Sequence, residues 1–154
     1  MVAVRVLGGD GGAGPDVAFQ VEGARLGPVS GSDVHDYVGR PLVVNFWASW
    51  CAPCVEEMPA IQQVDDQLEG RVTVLGVNTQ DSAEKAREFA ADLGISFELA
   101  RDPSGTYFDA VGGFGWPTTL LVDDSGVIRY RHTGPLDAGQ LRDLLETHLG
   151  VGTR

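Results

Sequence analysis

Leu42-Val43-Val44-Asn45-Phe46-Trp47 is an apolar run interrupted by a single amide. Because odd and even positions are both apolar, a strand built from it has no face to offer water. Such a strand needs cover on both sides, which packed helices supply. The flanking segments read as that cover. After Cys51, Met58, Ile61, Val64 and Leu68 recur on one helical face, and Gly70 ends the helix. Val72–Val77 is a second buried strand. Asp81, with Glu84 three residues on, opens a helix in the manner of a capping box; Ala86, Phe89, Ala90 and Leu93 form its stripe and Gly94 closes it. Ile95–Leu99 is a short strand, and Asp102-Pro103 starts a brief helix carrying Tyr107, Phe108 and Val111. Thr118–Val122 and Val127–Arg131 are strands joined by the turn Asp123-Asp124-Ser125-Gly126. Asp137 caps a final helix with stripe Leu141, Leu144, Leu145 and His148.

Upstream, Val17–Val21 and Leu26–Val29 form a hairpin around Glu22-Gly23-Ala24. Ser32 or Asp33 then caps a short helix to about Val38, stopped by Gly39. Residues 1–15 read as a flexible tail or linker, because Gly8-Gly9-Asp10-Gly11-Gly12-Ala13-Gly14-Pro15 cannot pack. An edge strand at Val2–Leu7 is the alternative. The expectation is one α/β domain over residues 16–154, with a mixed sheet flanked by helices.

With 154 residues and 43% hydrophobic composition, one real core is affordable without staples. The formal charge of −11 disfavours nucleic acid and anionic membrane and attracts basic partners. No segment approaches the roughly 18 apolar residues of a membrane-spanning helix, and no signal peptide is visible.

Chemistry concentrates at Trp50-Cys51-Ala52-Pro53-Cys54, where the buried strand ends and a helix begins. Unpaired N–H groups at a helix start favour a thiolate. Two intervening residues let both cysteines occupy the first turn, close enough to bridge. Pro53 suits that turn because its missing N–H would go unbonded there anyway. Cys51, at the exposed end, is the candidate nucleophile; Cys54, deeper, is the resolving thiol. An inert disulfide or half a metal site is the competing reading. His35, His132 and His148 offer no ligand spacing to support a metal.

The segment Asn45 to Pro59, with Phe46-Trp47-Ala48-Ser49-Trp50-Cys51-Ala52-Pro53-Cys54 at its heart, resembles the active-site region of the thioredoxin superfamily. More narrowly, it resembles the TlpA/ResA/CcmG group of extracytoplasmic thiol–disulfide oxidoreductases. Gly115-Trp116-Pro117-Thr118-Thr119-Leu120-Leu121-Val122-Asp123 is similar to that group's cis-proline segment. The resemblance spans about Val17 to Leu149. It implies a thioredoxin fold with an extra N-terminal β-hairpin and a helix–strand insertion at about Thr79 to Leu99.

The resemblance also assigns roles. Pro117 matches the cis-proline that sits against the CxxC and presents backbone to a substrate chain. Pro59 matches the proline that bends the active-site helix near Val55. Glu57 matches the acidic residue beneath the cysteines; three residues beyond Cys54, it shares that helix side while Glu56 points elsewhere. Buried there, it would have a raised pKa and exchange a proton with Cys54. Asn45 stands where cytoplasmic thioredoxin keeps a buried Asp, which favours the extracytoplasmic group. Trp50 is expected to shield the nucleophile and meet a substrate, and Trp47 to fill the core. Trp116 replaces a usually smaller residue, either as an aromatic docking surface or as core. Gly113 and Gly115 are expected to free the loop.

The function implied is dithiol–disulfide exchange with protein clients, run as a reductase of exported proteins in a cytochrome c maturation-like role. Cys51, Cys54 and Glu57 would be catalytic, with Trp50, Pro53, Trp116 and Pro117 shaping the site. No cofactor or metal is expected beyond the redox-active pair. Partners would be protein thiols and disulfides, apocytochrome c among them, and a membrane electron donor; the setting would be extracytoplasmic and the protein monomeric. Alternatives are a disulfide-forming oxidase of the same fold, a non-catalytic binding module and a cytoplasmic thioredoxin. A peroxiredoxin-type site is disfavoured, since Ala48 stands three residues before Cys51 where Thr or Ser is needed.

Overall fold

A computed structural model describes residues 39–153, together with the backbone of three two-residue strands upstream. In chain order the elements are β1 (Val6–Leu7), β2 (Asp16–Val17), β3 (Gly27–Pro28), β4 (Leu42–Trp47), α1 (Ala52–Leu68) and β5 (Thr73–Thr79). There follow α2 (Ala83–Asp92), β6 (Glu98–Asp102), α3 (Thr106–Ala110), β7 (Thr118–Val122), β8 (Ile128–Thr133) and α4 (Ala138–Leu149). The main sheet has the order β3-β6-β5-β4-β7-β8. Its centre, β6-β5-β4, is parallel, and β3, β7 and β8 run antiparallel to their neighbours.

β4 is the central strand its composition demanded, buried at all six positions. Alternation sends Leu42, Val44 and Phe46 to a face shared with Leu75, Val77, Leu120, Val122 and the α3 residues Tyr107 and Phe108. Val43 and Trp47 face the other way, into a cluster holding Met58, Ile61, Val64 and Leu68 of α1 and Leu141 and Leu145 of α4. Each of those α1 side chains is fully buried, worth roughly 1.5–3 kcal/mol apiece. Asn45, by the same period of two, lies on the α1 face. Gly76 of β5 is required there: a Cβ would come within 2.9 Å of Phe97 and 3.2 Å of the Trp47 indole nitrogen.

Several boundaries differ from expectation for local reasons. β6 starts three residues later than the expected Ile95–Leu99, in register with β5 from Leu75–Glu98 to Thr79–Asp102. At its end Asp102 reaches forward to accept from the Tyr107 and Phe108 amides, at 3.2 and 2.9 Å, so α3 begins at Thr106 rather than at Asp102-Pro103. The α2 cap is Ser82, accepting from the Lys85 amide, and not Asp81. Asp137 does cap α4, in a reciprocal box with Gln140.

The ends of the expected N-terminal hairpin join different partners: Asp16–Val17 pairs with Val6–Leu7, and Gly27–Pro28 with β6. Val6–Leu7 is thus strand within the stretch read as tail. The remainder of that stretch, residues 18–26 and 29 of the hairpin and the helix expected from Ser32 or Asp33 lie outside the described residues.

Candidate active site

Cys51 is the N-cap of α1 and Cys54 lies in its first turn. Their sulfurs are bonded at 2.14 Å, with Cα atoms 5.3 Å apart. The Cys54 amide donates to Cys51 Sγ at 3.4 Å, so a thiolate at Cys51 would inherit a donor already aimed at it. Pro53, exposed in that first turn, lacks an N–H the helix does not need. Cys51 is 6% exposed and Cys54 fully buried, which leaves Cys51 as the sulfur a second molecule can reach.

One turn further on, Glu57 is buried at 3% exposure while Glu56 is exposed. Asn45 Nδ2 donates to Glu57 Oε1 at 3.4 Å and to Thr119 Oγ1 at 3.2 Å. Glu57 Oε2 and Asn45 Oδ1 are buried without hydrogen-bond partners. Burial pushes the Glu57 carboxyl from 4.5 up to about 8, against the opposing pull of the Thr119 hydroxyl and the Leu136 backbone. It is therefore poised to gain or lose a proton near neutrality. Pro59 lies inside α1 and leaves the Val55 carbonyl without its helical donor.

An aromatic series runs from the core to the cysteines. Phe46 meets Phe108 edge-on at 5.2 Å, Phe108 stacks on Trp116 at 4.3 Å, and Trp116 meets Trp50 edge-on at 5.4 Å. Trp116 is partly buried and packs on the core below and on Trp50 above. Trp50 is 55% exposed, with its indole N–H donating to the Gln80 carbonyl at 2.9 Å. Phe114, which the sequence reading passed over, is 81% exposed on the same loop as Trp116.

The Trp116–Pro117 peptide bond is cis and Pro117 is buried. Its carbonyl accepts from the Gly134 amide at 2.8 Å, which ties this turn to the end of β8. Conformational freedom in the preceding loop belongs to Gly112, with φ +78°. Gly113 and Gly115 instead serve close packing, since a Cβ would lie 2.3 Å from the Phe108 ring and 2.6 Å from Thr133 respectively. Arg131 donates to the Val111 carbonyl and holds the base of the loop.

Asp81 is the supporting residue the sequence reading misassigned. Its carboxylate accepts from the Ser49 amide at 2.6 Å, the Ser49 hydroxyl at 2.8 Å, Asn78 Nδ2 at 2.9 Å and the Ser82 amide at 2.8 Å. Burial raises its pKa, but these donors outweigh it and hold the carboxyl below its ordinary 3.8. The segment leading into Cys51 is thereby tied to the end of β5. An acidic residue just past the carboxyl end of a parallel strand was the signal available.

His132 and His148 both stack on Tyr130, at 6.5 and 4.2 Å, and His35 lies outside the described residues. Among the described residues no three His, Cys, Asp or Glu side chains cluster to hold a metal, and no helix is long and apolar enough to cross a membrane.

Residues 13–147 match the Redoxin family model. The thioredoxin-like protein YneN of Bacillus subtilis is 30% identical over 118 residues, covering 75% of this chain and 69% of its own. The thiol:disulfide interchange protein DsbE of Vibrio cholerae is 34% identical over 110 residues, covering 71% and 58%. The chain spans just over half the length of several such interchange proteins. A DsbF homologue from Corynebacterium diphtheriae superposes with TM-score 0.74 at 26% identity, covering 94% of this chain and 99% of that one. The α/β architecture is that of the thioredoxin fold.

Proposed function

The chain belongs to the Redoxin family, and on that premise we propose that it is a thiol–disulfide oxidoreductase of the TlpA/ResA/CcmG type acting on protein clients. The observation that carries the reading is the Cys51–Cys54 disulfide astride the start of α1, with its outer sulfur beside Trp50.

In the reducing direction, the Cys51 thiolate attacks one sulfur of a client disulfide, forming a mixed disulfide and releasing the other client sulfur as thiolate. Cys54, giving its proton to the Glu57 carboxylate, then attacks Cys51 Sγ. The second client thiolate leaves and the Cys51–Cys54 bond forms, so two electrons pass to the client and the protein is oxidised. The two sulfurs carry the electrons, and the mechanism draws on no further cofactor. On this reading Trp50, Pro53, Trp116 and Pro117 shape client access to the reacting sulfurs.

Clients are exported proteins, apocytochrome c among them, and a membrane electron donor re-reduces the pair in an extracytoplasmic compartment. The resemblance to the TlpA/ResA/CcmG group supports these assignments, and the −11 charge suits a basic client.

The test is the reduction potential of the Cys51–Cys54 couple, read by equilibration in glutathione and dithiothreitol buffers. A value near the roughly −270 mV of thioredoxin is expected for the reductase. A value nearer roughly −120 mV would assign the oxidase direction instead. A pair that fails to equilibrate would overturn enzymatic exchange in favour of a binding module.

A further inference from the structure

Glu57 has no hydrogen-bonding neighbour of its own on α1 to keep its carboxyl in one state. Support comes from β4, where the Asn45 amide directs its two hydrogens to Glu57 Oε1 at 3.4 Å and Thr119 Oγ1 at 3.2 Å. Having accepted from Asn45, the Thr119 hydroxyl has its own hydrogen free, and it acts on Glu57 from β7. Asn45 and Thr119 are register partners across β4 and β7, so the backbone ladder fixes the two donors side by side. All three side chains are almost wholly buried. The groups that face Glu57 are neutral: Asn45 from β4, Thr119 from β7, the Leu136 backbone ahead of α4, and Cys54 one turn back on its own helix.

Resting on the proton-exchange reading of Glu57, we propose that Asn45 and Thr119 are positioning residues which hold the Glu57 carboxyl able to ionise, and so set the pH at which Cys54 is activated. Burial alone would keep the acid protonated, because a lone carboxylate in an apolar site is strongly disfavoured. A donor bonds the ionised form more strongly than the neutral one and so offsets part of that cost, and the β4–β7 register holds Asn45 and Thr119 in place without reorganising. The unpartnered Oε2 is the oxygen left to take the proton from Cys54. An Asp at position 45 would reverse the effect, placing an acceptor and a second acid against Glu57.

The experiment compares pH profiles of insulin-disulfide reduction by the full chain and its variants. Thr119→Val removes the hydroxyl at nearly constant shape and suits a strand. It should move the Glu57-dependent limb upward by about half to one pH unit, the equivalent of one lost hydrogen bond. Thr119→Ser, which keeps the hydroxyl, should restore the parent limb, and Asn45→Leu should shift it in the same direction as Thr119→Val. In a Glu57→Gln background none of these changes should move the profile. If Glu57→Gln removes the limb but Thr119→Val and Asn45→Leu leave it in place, the positioning role is overturned and the exchange reading stands. A limb that moves equally without Glu57 also overturns it. If Glu57→Gln itself leaves the limb unchanged, the proton-exchange reading fails, and this inference with it.

Discussion

At the scale of single residues, two side chains carry opposite electrostatic designs. Glu57 is raised to about 8 by burial, so the folded protein holds its proton more tightly than the unfolded chain. Its contribution to stability is present below about pH 4.5 and is lost as pH rises through 8. Chemical denaturation from pH 5 to 9 should therefore show Glu57→Gln gaining stability relative to the parent as pH rises, by a few kcal/mol at the alkaline end; parallel curves would contradict the buried-acid assignment. Asp81 has a depressed pKa, so its contribution is present above 3.8 and lost only as pH falls below that value. Gly113 is a steric case. Gly113→Ala puts a methyl 2.3 Å from the Phe108 ring and should lower stability by about 1–3 kcal/mol with a reduced melting temperature.

At the scale of elements, the strand–CxxC–helix junction needs a second anchor because an N-cap sulfur is a weak hydrogen-bond acceptor. Asp81 provides one by gripping Ser49. Asp81→Ala should accelerate hydrogen exchange at the Ser49 amide by tenfold or more, while amides in α4 stay unchanged; equal acceleration at both would mean a global rather than a local role. This clamp also marks the limit of what the chain alone discloses. The buried strands, the α1 and α4 stripes, the Asp137 cap and the CxxC position were legible because periodicity and capping are local. Asp81 looked like a cap because an acidic residue before a helix has that role by default; its partner lies 32 residues away. Gly113 and Gly115 looked like hinges because steric contact with Phe108 and Thr133 exists only after folding. Phe114 carries no sequence pattern at all, and its exposure follows from the loop alone.

At the scale of the whole molecule, the chain carries a formal charge of −11 and exposes two large aromatic side chains, Trp50 beside Cys51 and Phe114 on the loop before the cis-proline. On the proposed reading, long-range attraction would bring a basic client in and apolar contact would receive it. The second-order rate of exchange with a basic protein disulfide should fall several-fold between low and physiological ionic strength, whereas an acidic client should be unaffected or accelerated. Identical salt dependence for both would remove charge from the account of client choice. The most direct test of the exchange mechanism is capture of its intermediate. Cys54→Ser, reduced and mixed with a disulfide-bonded client, should accumulate a mixed disulfide that peptide mass spectrometry places on Cys51, and Cys51→Ser should form none. No adduct on Cys51, or equal adducts from both variants, would contradict Cys51 as the nucleophile.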